Sequence, residues 1–397
     1  MSTNPLSKQT FIVGGLVTAA VILMAIIYSS PIWWVSLTAP NYPPEAFPDG
    51  VRIQFHMNGV FNGCKKIDKV EIVEDEALDC VHEMDTINHY VGMYPIAAGG
   101  PVERAFSQFL VAFLAVMLIG FICVNPKVRS VILAGGFAAI FLWMYLTFYG
   151  DDGISLENEG YIFAMVNSLD QDASDKEAGS TSMDVGSSWL SRIKKELEES
   201  GIEVESTEPE EVAVEMSDKE RLIESIKITY SKGQGQYSHT EHSEWNGSGN
   251  QVMAWHYEKS LSRYFNNPDE IIPMVETLKL AMTVVFWGIA AAMLFLVVMV
   301  RRNGGLFYWL LIVVPMALPV FFLIEYSAWL WWFGHSLNEM GAFTVKPFMP
   351  TVFGQGKVAQ FTTHSYPDIG FGLMMLASFL LAAAALVRRK QFTPKEG

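Results

Sequence analysis

Phe106-Ser-Gln-Phe-Leu-Val-Ala-Phe-Leu-Ala-Val-Met-Leu-Ile-Gly-Phe-Ile-Cys-Val124, followed at once by Asn125-Pro-Lys-Val-Arg129, decides the fold class. The run carries no charge and matches the ~20 residues a helix needs to cross a hydrocarbon core of ~30 Å. Lipid offers no partner to a peptide group, so each amide must be satisfied within its own segment, and the run must be helical. The turn that follows is basic, as loops on the cytoplasmic side tend to be.

Working outward, further runs of the same kind cover Phe11–Tyr28, Val131–Tyr149, Leu278–Val300 and Ile369–Val387. Another begins near Leu306, passes Pro315 and Pro319, where a kink is expected, and emerges near Glu325. The expectation is an α-helical polytopic membrane protein of six transmembrane helices. Lys8 precedes the first run as in a signal peptide, but that run is long and no small-x-small cleavage site follows, so it reads as a retained anchor.

If six spans alternate, Lys8, Lys127, Arg129, Arg301, Arg302, Arg388, Arg389 and Lys390 all fall on one side. The positive-inside rule makes that side cytoplasmic, with both termini inside. The natural setting is then a bacterial inner membrane with three long segments in the periplasm. The division reads as an anchor helix (1–30), a first outer loop (31–105), a helical hairpin (106–149), an acidic insert (150–277), a second hairpin (278–333), a third outer loop (334–368) and a last helix with its tail (369–397). Trp33-Trp34 and Trp329-Leu-Trp-Trp-Phe333 are placed at the membrane interface, where amphipathic rings prefer to lie.

The net charge of −15 is concentrated in one place. Between Asp151 and Glu276 there are 27 Asp and Glu against 10 Lys and Arg, so the rest of the chain is nearly neutral. No basic stripe exists to neutralise phosphates, which argues against a nucleic-acid partner. No Walker loop or dinucleotide fingerprint points to a nucleotide, and no Ser nucleophile elbow or His-Glu-x-x-His points to a hydrolase.

The insert reads as a small α+β domain. Residues 170–188 are polar and small, with the composition of a mobile entry. Helices are expected over Trp189–Ser200, after the Ser217-Asp-Lys-Glu220 capping box, and over Met253–Phe265. Short strands are expected at Ile202-Glu-Val-Glu205 and Val212-Ala-Val-Glu215. In outer loop one, Val51-Arg-Ile-Gln-Phe-His-Met57 alternates like a strand, with Val70-Glu-Ile-Val73 as a candidate partner.

All eight histidines fall outside the centres of the spans and off the cytoplasmic side. Haem b held between membrane helices needs intramembrane histidines, so none is expected. Cys80-Val-His82-Glu-Met84, read as extended, places thiol, imidazole and thioether on one face, a donor set suited to copper. His89 and Met93 share a face if that part is helical. Cys64 and Cys80 share the loop, and in an oxidising compartment the simpler reading is a disulfide, which removes the thiolate.

His335 and His364 bracket outer loop three beside aromatic and turn residues, and a site shared with His89 is one reading; ordinary interfacial residues are the other. His239-Thr-Glu-His242, with His256 downstream, reads either as a ligand pair or as a solvated loop. Glu325 is read as the acidic residue near a span end, at headgroup depth, with Asp368 opening the last span.

Pro31-Ile-Trp33, Ala39-Pro-Asn-Tyr-Pro43, Ile87-Asn-His-Tyr-Val-Gly-Met93, Gly334-His-Ser-Leu-Asn338 and His364-Ser-Tyr-Pro367 together resemble a group of bacterial multi-span proteins. That group accompanies copper-dependent respiratory or maturation systems of the nitrous oxide reduction type. The resemblance covers outer loops one and three, not the insert, and implies copper handling without assigning ligands.

Three functions are expected to compete. The first is a non-catalytic accessory protein whose outer face binds copper through His82, Met84, His89, Met93, His335 and His364, or docks a periplasmic metalloprotein, with the acidic insert offered to a basic partner. The second is a structural subunit of a membrane oxidoreductase. The third is a transporter or permease, disfavoured by the lack of charge within the spans.

Overall fold

In this computed structural model, residues 8–65, 78–174, 217–232, 244–300, 303–343, 345–358 and 360–392 are described. The expected strand at Val70–Val73, the helix at Trp189–Ser200, the strands near 202 and 212, and His239 and His242 lie outside them.

Five helices are long and apolar enough to cross a membrane: α1 (Lys8–Tyr28), α3 (Pro101–Ile122), α4 (Pro126–Tyr149), α8 (Pro268–Met299) and α11 (Ile369–Phe392). Here α2 is Cys80–Tyr90, α5 is Glu159–Ser174, α6 is Asp218–Lys232 and α7 is Gly249–Ser262. A sixth candidate is the pair α9 (Leu306–Met316) and α10 (Leu318–His335), bent by 60°. The bend sits where the sequence demands it. Pro315 and Pro319 flank Ala317, and a proline can neither donate to the helix ladder nor clear the carbonyl of the preceding turn.

One end of the bundle is closed by two fully buried arginines. Arg129 donates to the Val300 and Cys123 carbonyls and to Asn303 Oδ1, at 3.1, 3.3 and 2.7 Å. Arg388 donates to the Phe121 and Ile122 carbonyls at 3.2 and 2.7 Å. Each guanidinium thus satisfies carbonyls that a helix C-terminus leaves without intrahelical partners, where the macrodipole is negative. Read as loop charges in the sequence, these two are internal caps.

At the other end the chain builds a five-stranded antiparallel sheet, ordered β3-β2-β1-β5-β4, from β1 (Trp33–Thr38), β2 (Val51–His56), β3 (Gly59–Asn62), β4 (Gly354–Val358) and β5 (Phe361–Pro367). β1 continues directly from α1 and β5 leads directly into α11, so two packed helices deliver two paired strands. Trp33 lies opposite both Phe55 and Pro367, and Val35 opposite Ile53 and Ser365.

Outer loops one and three are therefore one layer. Trp33, expected at the membrane interface, is instead only 2% exposed inside this layer, with its indole N–H donated to Ser365 Oγ at 2.9 Å. The aromatic run 329–333 is not a loose girdle either: it belongs to α10, and Trp332 stacks on Tyr94 at 5.8 Å.

Strand alternation gives the sheet one apolar face, with Val35, Leu37, Val51, Ile53 and Phe55 on it. Helix α2 packs on that face through Cys80, Met84 and Ile87. This corrects the extended reading of Cys80–Met84. Asp79 caps a helix here, accepting from the Val81 and His82 amides at 3.0 and 3.1 Å. Cys80 and Met84 share its buried face, whereas His82, two residues on, points elsewhere.

Cys80 is bonded to Cys64, so the thiolate is spent. With 16 residues of separation, the chain-entropy model puts this link at about 3 kcal/mol. Cys64→Ser is expected to lower thermal stability by several degrees. An unchanged melting curve would show that the α2–sheet packing holds without the link.

Among its described residues the insert is helical. The capping box is present as read: Glu220 N–H donates to Ser217 Oγ, and Ser217 N–H to Glu220 Oε2 at 2.8 Å. α5 occupies the start of the stretch expected to be mobile. α7 begins at Gly249 rather than Met253, because Ser248 caps it by accepting from the Gln251 amide. It is buried on almost every side, between the bundle and α5.

Candidate functional site

Between the sheet layer and the bundle lies a cavity of about 850 Å³, within the ~300–1,000 Å³ common for small-molecule sites. Its roof is the apolar sheet face with α2, including Leu37, Ile53, Phe55, Met84 and Ile87. Its back wall is α3, through Leu110, Val111 and Leu114. Its sides are Val285 and Ile289 of α8 and Val313, Val314 and Phe321 of the broken α9–α10 pair.

Val313, Val314 and Phe321 are also exposed, so the cavity opens at the level of the helix break. Further along, Phe295 of α8 meets Phe307 of α9 at 5.2 Å and closes the gap. The break is thus what holds the cavity open, since a straight helix carries its side chains along one line rather than turning away from its neighbour.

Few polar side chains line this space: His56, Asn88, Thr351 and Thr363 belong to the sheet layer and α2, and the charged ones belong to the first turn of α3 and the middle of α10. Glu103, Arg104, Ser107, Glu325 and Trp329 all line it. Trp329 donates its indole N–H to Glu103 Oε1 at 3.2 Å, and Glu103 Oε2 is buried without a hydrogen-bond partner. Glu325 lies one helical turn from Trp329, on the same face of α10. The two carboxyl groups are therefore neighbours, close enough to interact electrostatically.

Glu325 lies in the middle of α10, which continues to His335. Glu103 is the residue that the sequence reading missed. A span that opens at Phe106 leaves Glu103 in the loop, whereas the helix itself begins at Pro101. The signal is a proline at the first helical position with an acidic residue two places on, still within the first turn.

The expected ligand residues divide. Met84 and Met93 line the cavity as apolar wall. His89 packs against Tyr264 and Phe265 at 5.2 and 4.9 Å. His335 stacks on Trp331 at 4.5 Å, with Nδ1 2.8 Å from the Trp331 carbonyl oxygen. His364 sits on the polar face of β5, with Nε2 3.5 Å from Thr38 Oγ1. His256 Nε2 is 2.7 Å from Ser168 Oγ, and burial lowers its pKa to about 3, so it is a neutral strut between α5 and α7. Among the described residues no group of three or more His, Cys, Asp or Glu side chains is placed to hold a metal ion.

The short motifs of outer loops one and three do meet, as structural joints. Asn338 N–H donates to the Gly92 carbonyl at 2.8 Å, and Phe343 N–H to the Tyr90 carbonyl at 2.9 Å. Gly92 has φ +83°, and a Cβ there would stand 2.6 Å from the Asn338 carbonyl oxygen, so only glycine fits the joint. Tyr94 and Asn338 both donate to Glu270 Oε2, at 2.9 and 2.7 Å, and tie the joint to the start of α8.

Asp85, on α2 beside the chamber, is a buried titratable group. It is almost fully buried and accepts from the Ile96 amide at 2.6 Å, while its other oxygen has no hydrogen-bond partner. Burial raises its pKa from 3.8 to about 7. Between these values the native state keeps a proton that the unfolded chain has lost. This stabilising contribution is complete below about pH 4 and disappears as pH rises through about 7. At about 1.4 kcal/mol per tenfold change in proton activity, the span is at most about 4 kcal/mol. Asp85→Asn keeps an acceptor for Ile96 and is expected to flatten the fall in melting temperature between about pH 4 and 7. Identical pH profiles for the two proteins would remove Asp85 from the account.

The helices and the cavity define a class: a protein with several helices long and apolar enough to cross a membrane, whose bundle carries a five-stranded sheet layer over an internal apolar chamber. No family model matches the chain, and neither a curated protein nor a solved structure is similar to it.

Proposed function

We propose that this protein takes a single amphiphile from the bilayer and holds it with its apolar chain in the chamber and its polar end at Glu103 and Glu325. The carrying observation is the opening at the α9–α10 break, where exposed span side chains are also chamber wall. A soluble ligand would meet a route lined by valine and phenylalanine, whereas a lipid or isoprenoid chain meets its own kind of solvent.

In this reading six spans run with both termini in the cytoplasm, and the sheet lies in the periplasm of a bacterial inner membrane. Two facts support that orientation. The basic residues cluster where α3, α8 and α11 end, as the positive-inside rule expects. The disulfide belongs to an oxidising compartment. The protein acts as a non-catalytic binder or presenter.

The test is native mass spectrometry of the gently purified protein. One retained amphiphile per chain is the expected result. Empty protein from several mild detergents overturns the proposal. Copper handling, which the motif resemblance favours, rests in this fold on His82, His335 and His364 on separate outer elements. Elemental analysis of the same sample separates the two readings, since stoichiometric copper with no amphiphile would favour the metal.

A further inference from the structure

A chain alone is a poor basis for selection inside a membrane, because bilayer tails are as apolar as the chamber wall. Discrimination must come from the polar end. That end carries two neighbouring carboxyl groups, Glu103 and Glu325, both lining the chamber. Glu103 has one oxygen held by Trp329 and the other buried without a hydrogen-bond partner.

Two adjacent carboxylates in an apolar chamber repel, and each loses hydration unless a cation or a donor takes its place. Acids at such depth mark function more often than structure. The missing group must enter from the bilayer, carry positive charge and donate several hydrogen bonds.

Resting on the amphiphile reading above, we propose that the chamber selects a primary-ammonium phospholipid of the phosphatidylethanolamine class. Its ammonium sits between Glu103 and Glu325. A primary ammonium offers three N–H donors to the two carboxylates, where a trimethylated ammonium offers charge but no donor. A glycerol headgroup offers hydroxyls without the cation.

The experiment is a competition on the full-length protein. Mixed micelles hold equal amounts of phosphatidylethanolamine, phosphatidylcholine and phosphatidylglycerol with identical acyl chains, and the lipid retained after repurification is counted by mass spectrometry. Phosphatidylethanolamine is expected to exceed each of the others about tenfold, equivalent to about 1.4 kcal/mol. Glu325→Gln and Glu103→Gln are each expected to bring the ratios close to one.

Equal retention of the three lipids by the wild-type protein overturns the headgroup assignment and leaves the amphiphile chamber standing. A preference that survives both substitutions overturns it as well. Retention of none of them defeats the chamber reading itself. The wild-type competition needs no variant, so a substitution that fails to fold does not block the decision.

Discussion

Val314→Trp is expected to reduce the amphiphile retained by the purified protein at least tenfold. Val314 lines the chamber at its opening and is itself exposed, so an indole there meets open space on both sides. Overfilling a packed core costs typically 1–3 kcal/mol because neighbours must move. Here the added rings enter an unfilled volume, and stability should change by less than that. Val320→Trp is the matched control, since Val320 is exposed on α10 but does not line the chamber. Equal retention by the Val314 and Val320 variants would mean that the opening at the helix break is not the route used. The result is read by lipid extraction per mole of protein, with melting curves on the same preparations.

The second large effect lies at the opposite end of the bundle. Arg388→Ala is expected to destabilise the protein by about 3 kcal/mol or more, because hydrogen bonds to a charged donor are worth about 1.5–3 kcal/mol each. Arg388 is fully buried and caps two consecutive carbonyls, Phe121 and Ile122, at the end of α3. Alanine removes the guanidinium from the Ile122 carbonyl, leaves the Phe121 carbonyl with the Tyr308 hydroxyl as its remaining donor, and opens a void beside Phe121 and Phe392, over which the guanidinium lies. Lysine restores the charge but not the fork that reaches two acceptors, so Arg388→Lys should recover only part of the loss. A melting temperature unchanged in the alanine variant would show that water replaces the guanidinium at these carbonyls.

The two predictions belong to different parts of the same design. Arg129 and Arg388 bind the chain ends of α3, α4, α8 and α11 into one closed floor. The sheet layer binds α1 to α11 at the other end through β1 and β5. Between these closures the kinked α9–α10 pair departs from α8, and the chamber is the space left over. Its depth therefore depends on the break at Ala317, and the charged residues that line it are carried by α3 and α10.

Much of this was legible before any coordinates. The apolar runs were, because crossing a membrane is a property of a contiguous segment and needs no knowledge of neighbours. The kink was, because proline acts on its own helix. The Ser217–Glu220 box was, because a side chain reaching a backbone group three residues away is a local event. The Cys64–Cys80 bridge was open as one of two readings, and only the approach of α2 to the end of β3 decided it.

The short helix α2 was misread because Cys-x-His-x-Met matches period two as well as it matches nothing else. The deciding residue, Asp79, stood just outside the quoted run. What tertiary structure alone decided is non-local. Trp33 meets Ser365 across 332 positions of chain, and no window of sequence contains both. Glu103 meets Trp329 across 226, which turns a loop acid and a supposed interfacial tryptophan into one wall of a chamber. Segment-level hydrophobicity says which stretches enter the membrane. The volume enclosed between them, and the polar groups that face it, exist only once helices distant in sequence have packed.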